Sequence, residues 1–216
     1  MPRYLILKLD GPMQAWGGHT FEDFRPSHLF PTRSGLLGLI GACMGIDRQD
    51  AAVLATLAES LEFTVRADQL PGRTPLKLLD FHTVQAARKV DGSVNKNPVV
   101  SRREYLFDAA FTVALGERSG GAVNLDTVAA AIKRPRYTPT LGRRSCPLSR
   151  PLYEGWAEAD DAKAALRQLS GGGVIYAEGE ALANNRPLQI RDVPMHTRKR
   201  QFGTRQVYVH AEGGEG

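Results

Sequence analysis

The strongest constraint on this chain is the order in which its apolar periodicity changes. Arg3 to Leu9 sets Leu5, Leu7 and Leu9 on one face at a spacing of two, the pattern of a half-buried strand. After an irregular stretch from Gly11 to Phe30, rich in Gly, Pro and aromatics, the spacing becomes helical. Leu36, Leu37, Leu39, Ile40, Cys43 and Met44 share a face, with Thr32 or Ser34 as N-cap. Asp47 to Leu57 predicts a second short helix, Leu61 to Ala67 a strand, Leu76 to Val84 another extended segment, and Tyr105 to Leu115 one long apolar strand. Asn124 to Ile132 predicts a helix capped by Asn124 and stopped at Pro135, with more extended chain after Gly142.

Strand, helix, strand, strand, helix and extended chain is the ferredoxin-like order shared with RNA-recognition motifs. The expected fold class is therefore α+β, with a ferredoxin-like/RRM-like core over residues 1–152. Between its middle strands, Ala86 to Arg103 has neither periodicity and carries Gly92, Asn95, Asn97 and Pro98, so it reads as an inserted, projecting thumb. A smaller β-rich C-terminal extension, 153–210, is expected to pack on the core. It holds a helix at Asp161 to Leu169, a Gly171-Gly172-Gly173 turn and short strands near Val174 to Ala177, Leu188 to Arg191 and Gln206 to His210. The tail from Ala211 to Gly216 is expected to be disordered. Gly35, Gly38 and Gly41, three residues apart, are costly in a helix interior and predict close packing against the sheet.

At 216 residues the chain is long enough to bury a core without disulfides or metal. Its two cysteines, Cys43 and Cys146, lie far apart, and its five histidines have no metal-ligand spacing, so neither metal nor cofactor is expected. Cys43 reads as a small core residue. The longest nearly uncharged apolar stretch, Gly35 to Ile46, is too short to span a bilayer, and Lys8 and Asp10 interrupt the first apolar run, so the expected location is the cytoplasm.

The net charge of +5 is concentrated. Lys133 to Arg150 carries six basic residues and no acid, Arg186 to Arg205 six against Asp192, and Arg88 to Arg103 five against Asp91. Brought together they would make a polyanion track; apart they are three solvated loops.

The segment from Arg134 to Leu148 is the most informative. Pro135, Pro139, Pro147 and Gly142 keep it from helix and leave backbone N–H groups free, Arg136, Arg143 and Arg144 supply guanidinium forks, and Tyr137 offers a stacking face. Phosphates and unstacked bases want those partners. In Gly11 to Gly17, Gln14 and Trp16 could read a splayed base, or Trp16 could anchor the core. Arg33 and the helix start from Thr32 to Ser34 could hold a phosphate. His82, Lys89 and Tyr105 are the residue types of metal-free RNA cleavage, although no spacing forces them together, and a hydrogen-bonding role for His82 is the simpler reading.

These same blocks, GPMQAWG at 11–17, FPTRSGLLGLIGA at 30–42, DFHTV at 80–84, REYLFDAAFTVAL at 103–115 and the 134–148 segment, resemble the 5′-handle-binding subunit family of type I-E CRISPR Cascade complexes, in the RAMP superfamily. Arg191 to Met195 and Arg200 to Arg205 extend the match, and Thr140 departs from it where the family pattern has an aromatic residue. The resemblance implies a non-catalytic RNA-binding subunit that caps the 5′ handle of CRISPR RNA. It also implies contacts with the Cascade backbone and large subunits, with target DNA met only indirectly. The alternative is a metal-independent endoribonuclease, as in type I-C relatives. Together with the motifs, it points to RNA contacts at Gln14, Trp16, Arg25, Arg33, Ser34, His82, Arg102, Arg103, Arg136, Tyr137, Thr138, Gly142, Arg143, Arg144, Ser145, Arg200 and Arg205.

Overall fold

The computed structural model describes residues 1–20, 22–178, 187–195 and 201–211. The first strand, β1 (Arg3–Asp10), is followed by four two-residue strands, β2 (Met13–Gln14), β3 (Trp16–Gly17), β4 (Phe24–Arg25) and β5 (Ser27–His28). Then come α1 (Arg33–Met44), α2 (Ala51–Ser60), β6 (Leu61–Gln69), β7 (Leu76–Val84), β8 (Val99–Phe107), β9 (Ala110–Glu117) and α3 (Leu125–Lys133). The chain continues with β10 (Tyr153–Glu158), α4 (Ala162–Arg167), β11 (Gly172–Ala177), β12 (Leu188–Pro194) and β13 (Phe202–Ala211). Strands dominate this mixed α/β fold.

The main sheet is seven-stranded and antiparallel throughout, in the order β10-β1-β9-β6-β11-β13-β12. Leu5, Leu7 and Leu9 lie opposite Leu115, Val113 and Phe111, and all six are buried beneath α1 and α3. Tyr4, Ile6 and Ala114 point the other way and pack with Ala165 and Leu166 of α4. The alternation thus buries both faces of β1, because strands feed helices to both sides. On the α4 side a buried ion pair, Arg66 to Asp68 at 2.7 Å, is joined by Lys8 and Thr112. Arg66 also donates to the carbonyls of Leu166, Ser170 and Gly171, satisfying groups left open after α4.

Several expectations shift. Thr32 is the cap of α1, accepting from the Gly35 amide. The second helix begins at Ala51 instead of Asp47, because 47–50 forms a turn closed by Asp50 N donating to the Asp47 carbonyl. The single strand expected over 105–115 is two: Asp108, at φ 53, turns the chain between β8 and β9, a job the sequence had not marked with glycine. The thumb is a β-hairpin, β7 paired with β8 along its whole length, so Arg102 and Arg103 sit in a strand, and the irregular part is 85–98. Strands β11, β12 and β13 are not a packed appendage; they extend the main sheet from β6. The missed strand β10 closes its other edge. The expected disorder falls on 211–216, of which 212–216 lie outside the described residues; Ala211 ends β13.

Candidate nucleic-acid interface

Ser34, Gly38 and Ala42 recur every fourth residue and so share one face of α1. Gly35 is held against Trp16, whose ring would lie 2.8 Å from an added Cβ, and this brings the 15–20 segment alongside the helix. The 134–148 loop is stitched to the far end of α1, where Arg136 and Tyr137 amides donate to the carbonyls of Cys43 and Ala42. It is stitched to the 15–20 segment by Ala15 N donating to Leu141 O at 3.0 Å. Gly142, at φ 89, sits where any side chain would collide with the Ala15 carbonyl, so only glycine permits this approach. Arg191, Gln201 and Phe202 of the β12–β13 region add a further wall. Together these segments line an open groove of about 800 Å³.

Five of the expected RNA contacts line the groove: Arg25, Ser34, Thr138, Gly142 and Arg143. Trp16 touches it only from beneath. Both Trp16 and Gln14 are fully buried, and they satisfy one another: Trp16 Nε1 donates to Gln14 Oε1, and Gln14 Nε2 donates to the carbonyls of Leu9 and Ala109. Neither can read a base, and Trp16 is the core anchor. Arg33 does not face a phosphate either. It is buried, donating to the carbonyls of Ala58 and Leu61 and pairing with Glu178, and its amide is taken by Asp192 at 2.7 Å. Arg205 grips Asp192 with two bonds and Glu178 with a third, so its fork is spent inside the protein. Arg143 also turns inward, donating to the carbonyls of Glu104 and Arg25 and lying over the Tyr105 ring. Arg102 pairs with Asp23, and Arg103 bonds Ser101. Arg136, Tyr137 and Arg144 are exposed beside the groove, and no ion pair engages either arginine among the described residues. Arg200 lies outside the described residues.

His82 and Ser145 meet around Tyr105. His82 Nε2 is 3.2 Å from the phenol oxygen and 2.7 Å from Asp80, and Ser145 Oγ is 3.5 Å from the same phenol. Tyr105 itself is 2% exposed. Its hydroxyl knits β7, β8 and the 134–148 loop together.

The family model described as CRISPR-associated protein (Cas_Cas5) matches residues 4–208. The chain belongs to this family. The CRISPR system Cascade subunit CasD of Escherichia coli (strain K12) is 47% identical over 215 residues, covering 97% of this chain and 96% of the relative. A chain of a CRISPR RNA-guided surveillance complex is 30% identical with a TM-score of 0.73, over 96% of this chain and 89% of its own. A crystal structure of a Cas protein is 28% identical with a TM-score of 0.66, over 96% of this chain and 93% of its own.

In this Cas5-family chain the groove lining holds Arg25, Arg143 and Arg191 and no acid, and Glu104, which accepts from the Ser27 amide nearby, is paired with Lys77. Burial raises the Glu104 pKa, but Lys77, the Ser27 amide and Arg143 outweigh it, so its carboxyl lies below the ordinary value. Arg25 uses one nitrogen on the carbonyls of Glu22 and Phe24, and Arg191 uses its Nε on the Phe202 carbonyl; the remaining side-chain donors of both make no hydrogen bond or ion pair among the described residues. The amides of Thr138, Thr140, Arg144 and Ser145 take no hydrogen bond among the described residues. Burial pushes the Cys43 thiol up to about 11, in keeping with a core cysteine. No cluster of three metal-ligating side chains occurs among the described residues, and no helix there is long and apolar enough to cross a membrane. Among the lining residues not expected as contacts are Gly18, His19, Gly38, Arg191, Gln201 and Phe202. Gly38, a glycine in a helix interior, and Arg191, in a basic stretch, had each left a local signal.

Proposed function

We propose that this protein is a non-catalytic RNA-binding subunit of a type I-E Cascade, holding the 5′ handle of CRISPR RNA in the groove on α1 and docking on the backbone and large subunits. The observation that carries this is the convergence of Arg25, Ser34, Thr138 and Arg191 on one open groove, beside exposed Arg136 and Arg144. It is an arrangement of forks, hydroxyls and free amides suited to a sugar–phosphate strand. The order β10-β1-β9-β6, with α1 and α3 in the connections, supports reading the core as ferredoxin-like or RRM-like. The likeness to CasD supports the assembly.

The endoribonuclease reading has one observation in its favour, the Asp80–His82–Tyr105 contact. Against it, Tyr105, the phenol that His82 contacts, is buried. Incubation of the purified chain with repeat RNA in chelator tests both. The expected result is retention of a handle-bearing RNA without cleavage; cleavage abolished by His82→Ala establishes the rival.

A further inference from the structure

We infer that Gly38 is the seat on which the RNA strand rests in the groove, a residue kept as glycine for its ligand and not for its fold. This inference rests on the RNA-binding reading above. Glycine inside a helix costs about 0.5–1 kcal/mol relative to alanine, so each instance in α1 calls for a reason. Gly35 has one, since a Cβ there would lie 2.8 Å from the Trp16 ring. Gly41 is buried, with a Cβ in ordinary contact with Leu54 of α2. Gly45 ends the helix at φ 74. Gly38 has none of these. It is exposed, its backbone is helical, and, its chain neighbours and the backbone of its own helix aside, no heavy atom among the described residues lies within 4 Å of where its Cβ would be. Folding alone therefore favours alanine at this position.

What Gly38 does have is its place in the groove lining, on the same helix face as Ser34 and Ala42. The neighbouring walls bring Arg25, Arg191 and the 138–140 backbone to the same space. A bare helix backbone at the base of a cationic groove lets a ribose approach the helix more closely than any side chain permits. The walls then meet the adjacent phosphates. Trp16 and Tyr105 are buried, so the aromatic rings that can meet a base are Phe202 in the wall and Tyr137 beside the groove. At Gly38 itself there is no side chain to meet a base, so the strand packs there through its sugar–phosphate backbone and the position discriminates by shape.

The inference predicts effects of opposite sign, which no purely structural role produces. Thermal unfolding of the full chain and titration with a labelled 5′-handle RNA at low salt are measured for Gly38→Ala, Gly38→Gln and the double variant Arg25→Ala/Arg191→Ala. Gly38→Ala should unfold about 1–4 °C higher than wild type. Gly38→Gln should fold at least as stably as wild type yet bind RNA about tenfold to a hundredfold more weakly, as overpacking of a filled site does, with Gly38→Ala between. The double arginine variant should also lose affinity. If the glycine variants bind like wild type while the arginine variant does not, the groove holds RNA and the role given to Gly38 is wrong. Unchanged binding in all three variants overturns the groove reading itself. A fall in melting temperature for Gly38→Ala makes the glycine structural and also overturns the inference.

Discussion

Arginines from two basic stretches that look alike in the sequence, Arg144 and Arg205 above all, have opposite fates in the fold. In 133–150, Arg134, Arg136 and Arg144 stay exposed, and the loop presents its cations and unpaired amides outward. In the C-terminal stretch, Arg205 is almost fully enclosed, held bidentately by Asp192 and again by Glu178, which also reaches Arg33 and Arg118. The first is left as an open positive surface. The second is a clasp that fixes β12 and β13 to the start of α1 and so sets the groove wall bearing Arg191. A count of cations does not distinguish them; the carboxylates that fold against each one do.

The clasp can be broken at Asp192, which is 1% exposed, accepts two bonds from Arg205 and accepts the Arg33 amide. Asp192→Ala leaves a buried guanidinium short of its main partner and leaves the Arg33 amide, in the first turn of α1, without its acceptor. The expected loss is about 3–5 kcal/mol in denaturant unfolding, with a smaller loss for Asp192→Asn, which keeps an acceptor. A loss below about 1 kcal/mol would show that the second stretch is not held by pairing and that the two regions differ less than described.

The comparison sharpens at two adjacent residues. Arg143 bonds two carbonyls and covers Tyr105, whereas Arg144 is exposed. Arg143→Ala should destabilise by roughly 2 kcal/mol through lost charge-assisted bonds. Arg144→Ala should leave the melting temperature unchanged and instead flatten the salt dependence of RNA binding by about 0.7 log unit per log salt, one phosphate contact on a single strand. The reverse assignment of effects, read from melts and salt titrations on the same two proteins, would sink the division between clasp and surface.

Those adjacent arginines also show where sequence reasoning ran out. Local signals were sufficient for β1, for α1 with its Thr32 cap and for α3 with Asn124, because periodicity and capping are properties of neighbours along the chain. They failed where a distant residue decides. Nothing near Arg143 announces that the carbonyls of Arg25 and Glu104 will be waiting, and nothing near Gln14 announces that it will bond a tryptophan beneath a helix. The groove was half legible: the 134–148 loop and the α1 face declared themselves by composition, while the wall of Arg191, Gln201 and Phe202 depends on a sheet order that crosses from β6 to β11. The turn at Asp108 was hidden because an aspartate took the left-handed conformation usually marked by glycine.

The clasp also leaves a trace on pH dependence. Half-buried His28 has its pKa lowered first by burial, then by Lys77 and Arg205, with Asp192 opposing. The unfolded chain, near the ordinary 6.5, therefore takes up the proton more readily than the folded one. The stability that neutral His28 contributes is present above that value and is lost as pH falls through the lower folded one. Denaturation midpoints should decline on acidification below neutrality, and His28→Phe should flatten the decline, with His210, lowered in the same direction chiefly by burial, carrying the remainder. An identical slope in the variant would mean that His28 titrates alike in both states.

The smallest effect on stability is expected from the third basic stretch, at the tip of the thumb. Its hydrogen bonds are local: Lys89 N to Ser93 O, Gly92 N to Lys89 O and Asn95 N to Ala87 O. Nearly every residue of 85–98 is exposed, Val90 and Val94 included. Val84 and Val99 face each other as the last pair of the β7–β8 ladder, so an Asn-Gly turn can join them without disturbing the register. Removing the tip sacrifices little buried apolar area, and melting of the bridged chain should stay within about 2 °C of wild type. What it removes is three cations, Arg88, Lys89 and Lys96, against the single acid Asp91, together with the exposed Val90 and Val94, so a melting temperature lowered by much more than that would show that the tip belongs to the core.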